Sequence, residues 1–343
     1  MDMVSQKASA FVGYIAQRLR HENFVLIDIG CSGGLDWTWR SFGDRLNAWG
    51  FDPNIEEVER LNGVETNPGV KYEAGFVSAP ADHPAVLARD GKSYWGRNPW
   101  DRLAVARSMA ITAEQTRAAA NEVKVAANAW QMSRLAEDRH INLPTFLAEK
   151  GVSSADFLKL DVDGPDFDIL QSLSGMLADV KLIGVGLEVN FCGTGDPTEH
   201  AFHNTDLFMK QQGFELFGLS VRPYSAAALP ERYTSSFPAQ AVSGRPLQGD
   251  ALYVRDLCSP LWADLAKQYG PHKLLKLAAI FATFGLPDCA AEVLTTHRAA
   301  ISWLLDVDYA LNLLVAQSSH AESGLDYPLL IEAFNRNDPM FYS

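Results

Sequence analysis

From Phe24 onward, short apolar runs alternate with helix-length segments, which is the mark of βαβ winding and a mostly parallel sheet. The runs predict strands at 24–29, 46–51, 70–76, 156–161, 183–189, 214–221 and 249–255. The first five, among them FVLIDI, DFLKLD and LIGVGLEV, carry few polar interruptions and fit parallel strands covered on both faces. The last two flank a stretch rich in Pro, Ser and Ala from Pro223 to Gly249 and are expected to pair antiparallel at one sheet edge. The expected fold class is α/β: a Rossmann-like, mostly parallel seven-stranded sheet whose last strand is antiparallel.

Two regions break the alternation. Residues 80–150 hold the charged, Ala-rich stretch WDRLAVARSMAITAEQTRAAANEVKVAANAWQMSRLAED, too long for one crossover and read as a helical insertion that covers the site or forms an interface. Beyond Leu257 the strand signals stop, and several helices follow with Gly and Pro at their ends. Within them, KLAAIFATFGLPDCAAEVL is spaced like one tetratricopeptide-type hairpin. A single such unit cannot bury its own face, so the expectation is a helical cap packed on the main domain. The predicted organisation is an N-terminal amphipathic helix in 1–23, a main domain over 24–257 with the insertion at about 80–150, and a helical extension over 258–343. The extension is read as a surface for a protein partner or for self-association.

With 343 residues and 47% hydrophobic content, the chain can fill a sizeable core. A net charge of -13, with no Lys/Arg run longer than a pair, leaves no basic face of the kind that nucleic-acid binders use. No segment approaches the ~20 apolar residues of a membrane span. The N-terminal stretch starts acidic and lacks the basic-then-apolar order of a signal peptide, so the expected compartment is the cytoplasm. The cysteines at 31, 192, 258 and 289 show no CxxC or ligand spacing, which predicts reduced thiols and no structural zinc.

The chemistry begins at FVLIDIGCSGGLDWTW, where a strand runs into a small-residue turn. A strand, such a turn and a following helix bring backbone N–H groups to the carboxyl edge of a parallel sheet, a nucleotide-type arrangement. The GxGxxG order of dinucleotide folds is absent. Instead Asp28 precedes Gly30, Gly33 and Gly34, and a carboxylate ahead of the turn repels a pyrophosphate but suits a ligand with an ammonium group and no phosphate. S-adenosylmethionine is such a ligand. The second run ends AWGFDPN, which places Asp52 where it can accept from both hydroxyls of a ribose. Phe51 and Pro53 flank it and can border an adenine. The expected cofactor-binding residues are Asp28, Gly30, Cys31, Ser32, Gly34, Phe51, Asp52, Pro53 and Phe76. In the alternative, Asp28 caps the turn and the glycines merely close it.

The second constellation is DFLKLDVDGPDFDIL, where Asp161 and Asp163 follow the fourth buried run and Asp166 and Asp168 open a helix as capping groups. The next strand ends GLEVNF, which projects Glu188 and Asn190 from the adjacent strand end. These oxygen side chains can hold a hard divalent cation that acidifies a hydroxyl. Equally, one can act as general base while the others orient the substrate. Asp161, Glu188, Asn190 and Asp163 are thus the catalytic candidates, the first three doubling as metal candidates; the alternative pairs Lys159 with Asp161 or Glu188 to hold the sheet edge. His203 is read as a helix cap, Cys31 as a small turn residue, and Trp37 and Trp39 as core or wall. Trp95 and Trp100 are read as parts of a substrate lid.

INLPTFL and SADFLKLDVDGPDFDIL, with their spacing to IDIGCSGG and GLEVNF, make the chain resemble the FkbM family of S-adenosylmethionine-dependent methyltransferases over about residues 24–220. Asp163 stands where that family usually has Glu, and Pro165-Asp166 where a small residue and an acid are common. The resemblance implies the class I methyltransferase fold and methyl transfer to oxygen, on a hydroxyl of a sugar, glycolipid or polyketide. Two readings from other classes stand beside it: a non-catalytic methyltransferase-fold assembly module, and an NAD-dependent enzyme, against which the carboxylate-first turn argues.

Overall fold

The computed structural model describes residues 8–94, 135–136, 139–224 and 244–336. Among them the strands are β1 (Phe24–Ile29), β2 (Leu46–Asp52), β3 (Val70–Ala74), β4 (Phe76–Val77), β5 (His140–Ile141), β6 (Phe157–Leu160), β7 (Gly184–Asn190), β8 (Glu215–Tyr224) and β9 (Arg245–Val254). The helices are α1 (Ala8–Arg18), α2 (Ile55–Val64), α3 (Pro84–Arg89), α4 (Leu143–Glu149), α5 (Asp166–Ser172), α6 (Ser174–Asp179), α7 (Phe202–Gln211), α8 (Ala263–Thr283), α9 (Pro287–Thr296), α10 (Arg298–Ile301), α11 (Val307–Val315) and α12 (Tyr327–Asn335).

Seven strands form one sheet in the order β3-β2-β1-β6-β7-β9-β8. β6 and β7 pair in parallel, whereas β9 runs antiparallel to both of its neighbours, β7 and β8. This is the mostly parallel, Rossmann-like seven-stranded sheet, with the last strand reversed as expected. The order reverses beside β1: the chain winds outward to β3, then returns to lay β6 against β1. That switch opens a crevice at the carboxyl ends of β1 and β6. The strands at the centre are apolar because both faces are covered, and every residue of GVGLEVN in β7 is buried.

Three local departures from the sequence expectation have physical causes. The third run is two strands: Gly75 N donates to Asp52 O, and Phe76 N then donates to Arg139 O, so the chain leaves β3 and pairs β4 in parallel with β5. The segment after the glycine turn is a 3-10 helix over Trp37–Arg45, broken by Gly43 at φ 54°, with Asp36 as its cap. Its aromatic, Thr, Ser and Gly residues are weak α-formers, so no α-helix starts at the turn. The final hairpin runs on to Tyr224 and resumes at Arg245, and Pro223 faces Pro246 at a register shift, where a missing N–H is tolerated.

The chain divides into two compact units, one of residues 27–34 and 49–254, the other of residues 1–26, 35–48 and 255–343. In the second unit α1 packs on α8 and α11. α8 kinks at Gly270-Pro271, as a helix must where Pro removes an N–H. Phe24 stacks on Phe42 and Trp39, and Trp39 meets Phe284 edge-on, so Trp39 is core while Trp37 is half exposed. Trp95 and Trp100, with most of the 80–150 segment, lie outside the described residues.

Candidate active site

Gly30 takes φ +85°, and a Cβ there would stand 1.8 Å from Asp161 O; only glycine lets the β1 turn press on the end of β6. The contact is locked by Asp161 N donating to Ile29 O. Gly30 N and Cys31 N both donate to Phe51 O, Gly33 N donates to Glu57 Oε1 and Gly34 N donates to Cys31 O. Four of the turn N–H groups are therefore spent inside the protein, while Ser32 stands on the wall of the adjoining cavity. The Cys31 thiol is buried and its pKa is pushed up by that burial and by Asp28 and Asp52, which makes it inert.

A cavity of about 320 Å³ lies beside this turn. Its wall includes Gly30, Ser32, Phe51, Asp52, Pro53 and Phe76 from the expected cofactor residues, together with Asp161 and Asp163. Asp28, Cys31 and Gly34 do not line it. Asp52 is buried at the end of β2, and its Oδ1 accepts from Asn54 N at 2.8 Å. Burial, with Glu57 adding to it, raises its pKa above the ordinary carboxylate value. The wall carries three carboxylates and, among the described residues, no Lys, Arg or His.

Asp28 resolves differently from its expectation. Its side chain is 3% exposed, and its Oδ1 accepts from Lys159 Nζ at 3.2 Å. The same ammonium donates to Gly30 O at 3.0 Å and stands 3.6 Å from Asp161 Oδ2. Burial works against the charge on Lys159, but Asp28 and Asp161 outweigh it and push its pKa up to about 12. Lys159 thus pairs with Asp28 and also stands within ion-pair distance of Asp161, one of the two partners of the alternative reading, while Glu188 pairs with Arg222 instead.

The loop after β6 is held from behind. Asp163 has φ +56° and Gly164 has φ +159°. Asp166 accepts from Val162 N and Gly164 N, both at 2.9 Å, and lies 3.7 Å from His200 Nδ1. Asp166 is therefore a clamp on this loop and not a cap: α5 has no side-chain cap. Asp168 accepts from Arg89 Nε at 2.8 Å and is likewise no cap. Burial, then Asp161 and Asp166, raises the Asp163 pKa, with Arg222 opposing.

Glu188 and Asn190 do not join Asp161 and Asp163 at the cavity. Glu188 Oε1 accepts from Arg222 Nη2 at 3.0 Å, an arginine that also reaches Asp250. Burial and Asp161 push the Glu188 pKa up to about 8 against the pull of Arg222. Asn190 is buried beside His200, with Nδ2 to Nδ1 at 3.5 Å, and His200 Nε2 donates to Glu188 O. Among the described residues no three His, Cys, Asp or Glu side chains are gathered to hold a metal ion. The metal reading of Asp161, Glu188 and Asn190 is therefore not built here, because Glu188 is turned to Arg222 in the β8–β9 hairpin. His203 stands exposed at the second position of α7, a helix without a side-chain cap.

A second cavity of about 480 Å³ shares Pro165 with the first. Ser78, Arg89, Tyr94, His140 and Asp168 are among its lining residues. The β4–β5 pairing brings Ser78 Oγ to 3.2 Å from His140 Nδ1, and the Arg89 guanidinium lies 4.1 Å from the Tyr94 ring centre. Both cavities fall within the size range of small-molecule sites.

Residues 130–216 match the model of the methyltransferase FkbM domain. The matched segment contains Lys159, Asp161, Asp163, Glu188 and Asn190, and it supports S-adenosylmethionine-dependent methyl transfer as the activity. Solved structures to which the chain is similar include magnesium protoporphyrin IX methyltransferase from Synechocystis PCC 6803 with bound SAM, at 10% identity, 73% of this chain, 78% of that one and a TM-score of 0.30. They also include a precorrin-6y C5,15-methyltransferase from Geobacter metallireducens GS-15, at 8% identity, 71% and 86% coverage and a TM-score of 0.30. A third is the N-terminal domain of EvdMO1 with SAH bound, at 9% identity, 74% and 82% coverage and a TM-score of 0.33. No curated protein matches the chain. No helix among the described residues is long and apolar enough to cross a membrane.

Sequence reasoning missed the second cavity, because no spacing rule joins Ser78 to His140 or Arg89 to Asp168. The Lys159–Asp28 pair did leave a trace: one lysine in an otherwise apolar central strand must find a buried partner.

Proposed function

We propose that the chain transfers the methyl group of S-adenosylmethionine to a hydroxyl oxygen of a small-molecule, sugar or glycolipid acceptor. The carrying observation is the first cavity, walled by Asp52, Asp161 and Asp163 with no cation in its described lining, beside a turn in which the N–H groups of Gly30, Cys31, Gly33 and Gly34 are consumed internally. That wall repels a diphosphate and suits a cationic sulfonium. Phe51, Pro53, Phe76 and Val77 supply the apolar surface that an adenine needs, and Asp52 a carboxylate for the ribose hydroxyls. The cofactor supplies an activated methyl on a positively charged sulfur.

The protein's part is positioning and proton handling. Holding donor and acceptor in line provides most of the acceleration in such a displacement. In this reading the acceptor enters the second cavity, and Asp161 and Asp163 face it across Pro165. Asp163, with its raised pKa, takes the hydroxyl proton, since a carboxyl poised closer to neutrality is the better base. Asp166 keeps the loop in the backbone shape that presents Asp163.

The test is to incubate the full chain with isotope-labelled methyl S-adenosylmethionine and a fractionated metabolite extract, and to assign the labelled product by NMR. A methyl on oxygen is expected. A methyl on nitrogen or carbon refutes the hydroxyl reading, and an Asp163→Asn variant with undiminished turnover removes the proposed base.

A further inference from the structure

The place at the β1 end expected for a ligand ammonium is taken by an ammonium of the chain itself. Lys159 Nζ donates to Asp28 Oδ1 and Gly30 O, the two acceptors that an amino-acid ligand would find there. An ammonium has three N–H donors. The third has no acceptor within hydrogen-bond distance among the described residues, with Asp161 Oδ2 at 3.6 Å. The groups on either side, Gly30 and Asp161, both line the cavity, and the lysine side chain remains 24% exposed, so it can be reached.

We propose that Lys159 binds the α-carboxylate of the methionine end of the cofactor. The inference rests on the S-adenosylmethionine reading above. A zwitterionic amino-acid end brings a carboxylate into a cavity whose described wall carries three carboxylates and no cation. Without a cation within reach, that carboxylate is repelled from every side. Lys159 is anchored by Asp28 and needs no reorganisation to donate its remaining N–H, which makes it a preorganised partner for an anionic oxygen. With the carboxylate at the β1–β6 junction, the adenosine end points toward Asp52, so Lys159 and Asp52 together set the direction in which the cofactor lies. Asp28 then acts through Lys159 and is a positioning residue.

The test uses calorimetry on the full chain with three ligands: S-adenosylhomocysteine, its decarboxylated analogue and methylthioadenosine, which lacks the amino-acid end. The wild-type protein is expected to prefer S-adenosylhomocysteine over the decarboxylated analogue by roughly 10- to 100-fold, the range of a charged hydrogen bond. Lys159→Met is expected to abolish that preference while binding methylthioadenosine as the wild type does. Because this variant removes the cation opposite Asp28, the Asp28→Asn/Lys159→Met protein is measured alongside; it too is expected to lose the preference. An unchanged preference in either variant, or none in the wild type, overturns the proposal. If the wild type binds neither S-adenosylhomocysteine nor methylthioadenosine, the cofactor reading itself fails and the proposal falls with it.

Discussion

Replacing Lys159 by Met keeps the aliphatic stem and removes the charge opposite Asp28, whose side chain is only 3% exposed in the central strand β1. Two magnitudes bear on the cost. The rise of the Lys159 pKa from 10.5 to about 12 corresponds to about 2 kcal/mol, at about 1.4 kcal/mol per unit. Removing one partner of a buried pair typically costs about 3–5 kcal/mol, because it leaves the other charge stranded. The two differ because the first compares charged with neutral lysine, which still offers a donor, while the second takes the cation opposite Asp28 away altogether. With Lys159 a quarter exposed, solvent softens the penalty, and a loss of about 3 kcal/mol is expected. Urea unfolding at neutral pH, followed by circular dichroism, measures it. The Asp28→Asn/Lys159→Met protein should recover most of the loss, since a neutral pair has little to desolvate. The sign in alkali follows from the raised pKa: the contribution is full below about 10.5, the unfolded value, and is lost as pH rises through about 12. A Lys159→Met cost under about 1 kcal/mol, or a double variant no more stable than the single one, refutes the reasoning.

Asp52→Ala should weaken S-adenosylhomocysteine binding roughly 10- to 100-fold through lost charged hydrogen bonds, and equal calorimetric affinity in the two proteins would remove Asp52 from the site. Gly30→Ala puts a Cβ 1.8 Å from Asp161 O at φ +85°, for an expected loss of about 2–5 kcal/mol from backbone strain and overpacking together. Gly33→Ala is the control, with φ +84° and nothing within 4 Å of its Cβ; if chemical denaturation finds the two variants equally stable, the close approach of β1 to β6 is not real. Burial pushes the Glu188 pKa up to about 8 from an ordinary value of 4.5, so its contribution is full below about 4.5 and fades as pH rises through 8. Stability measured by denaturation from pH 5 to 8 should therefore fall less in Glu188→Gln than in the wild type, by up to about 3–4 kcal/mol; parallel curves would refute the assignment.

Much of the fold was legible because its signals are local. The run FVLIDI is long, apolar and bounded by glycine, so β1 spans Phe24–Ile29 as expected. LIGVGLEV is apolar but for Glu188 because β7 has neighbours on both sides and covered faces, and the alternation of such runs with helices dictated a parallel sheet. The stretch after the turn misled, since a glycine-rich turn after a strand usually opens an α-helix. Here WTWRSFG has too little helix propensity to form more than a 3-10 segment.

For the site, the chain's own order of residues determined which side chains stand at strand ends. Asp52, Asp161 and Asp163 reach one cavity because each ends or follows a strand near the switch point. Tertiary structure alone decided what those charges meet. Asp28 and Lys159 are 131 residues apart and touch only because β6 returns beside β1, so a carboxylate that reads as a ligand contact is instead neutralised from within. Glu188, equally well placed on paper, is drawn away by Arg222 from a hairpin that follows it in the chain. A strand's sequence specifies which side chains it carries and which face each takes. The charge that will stand opposite depends on which strand lies next to it, and that is settled only when the sheet closes.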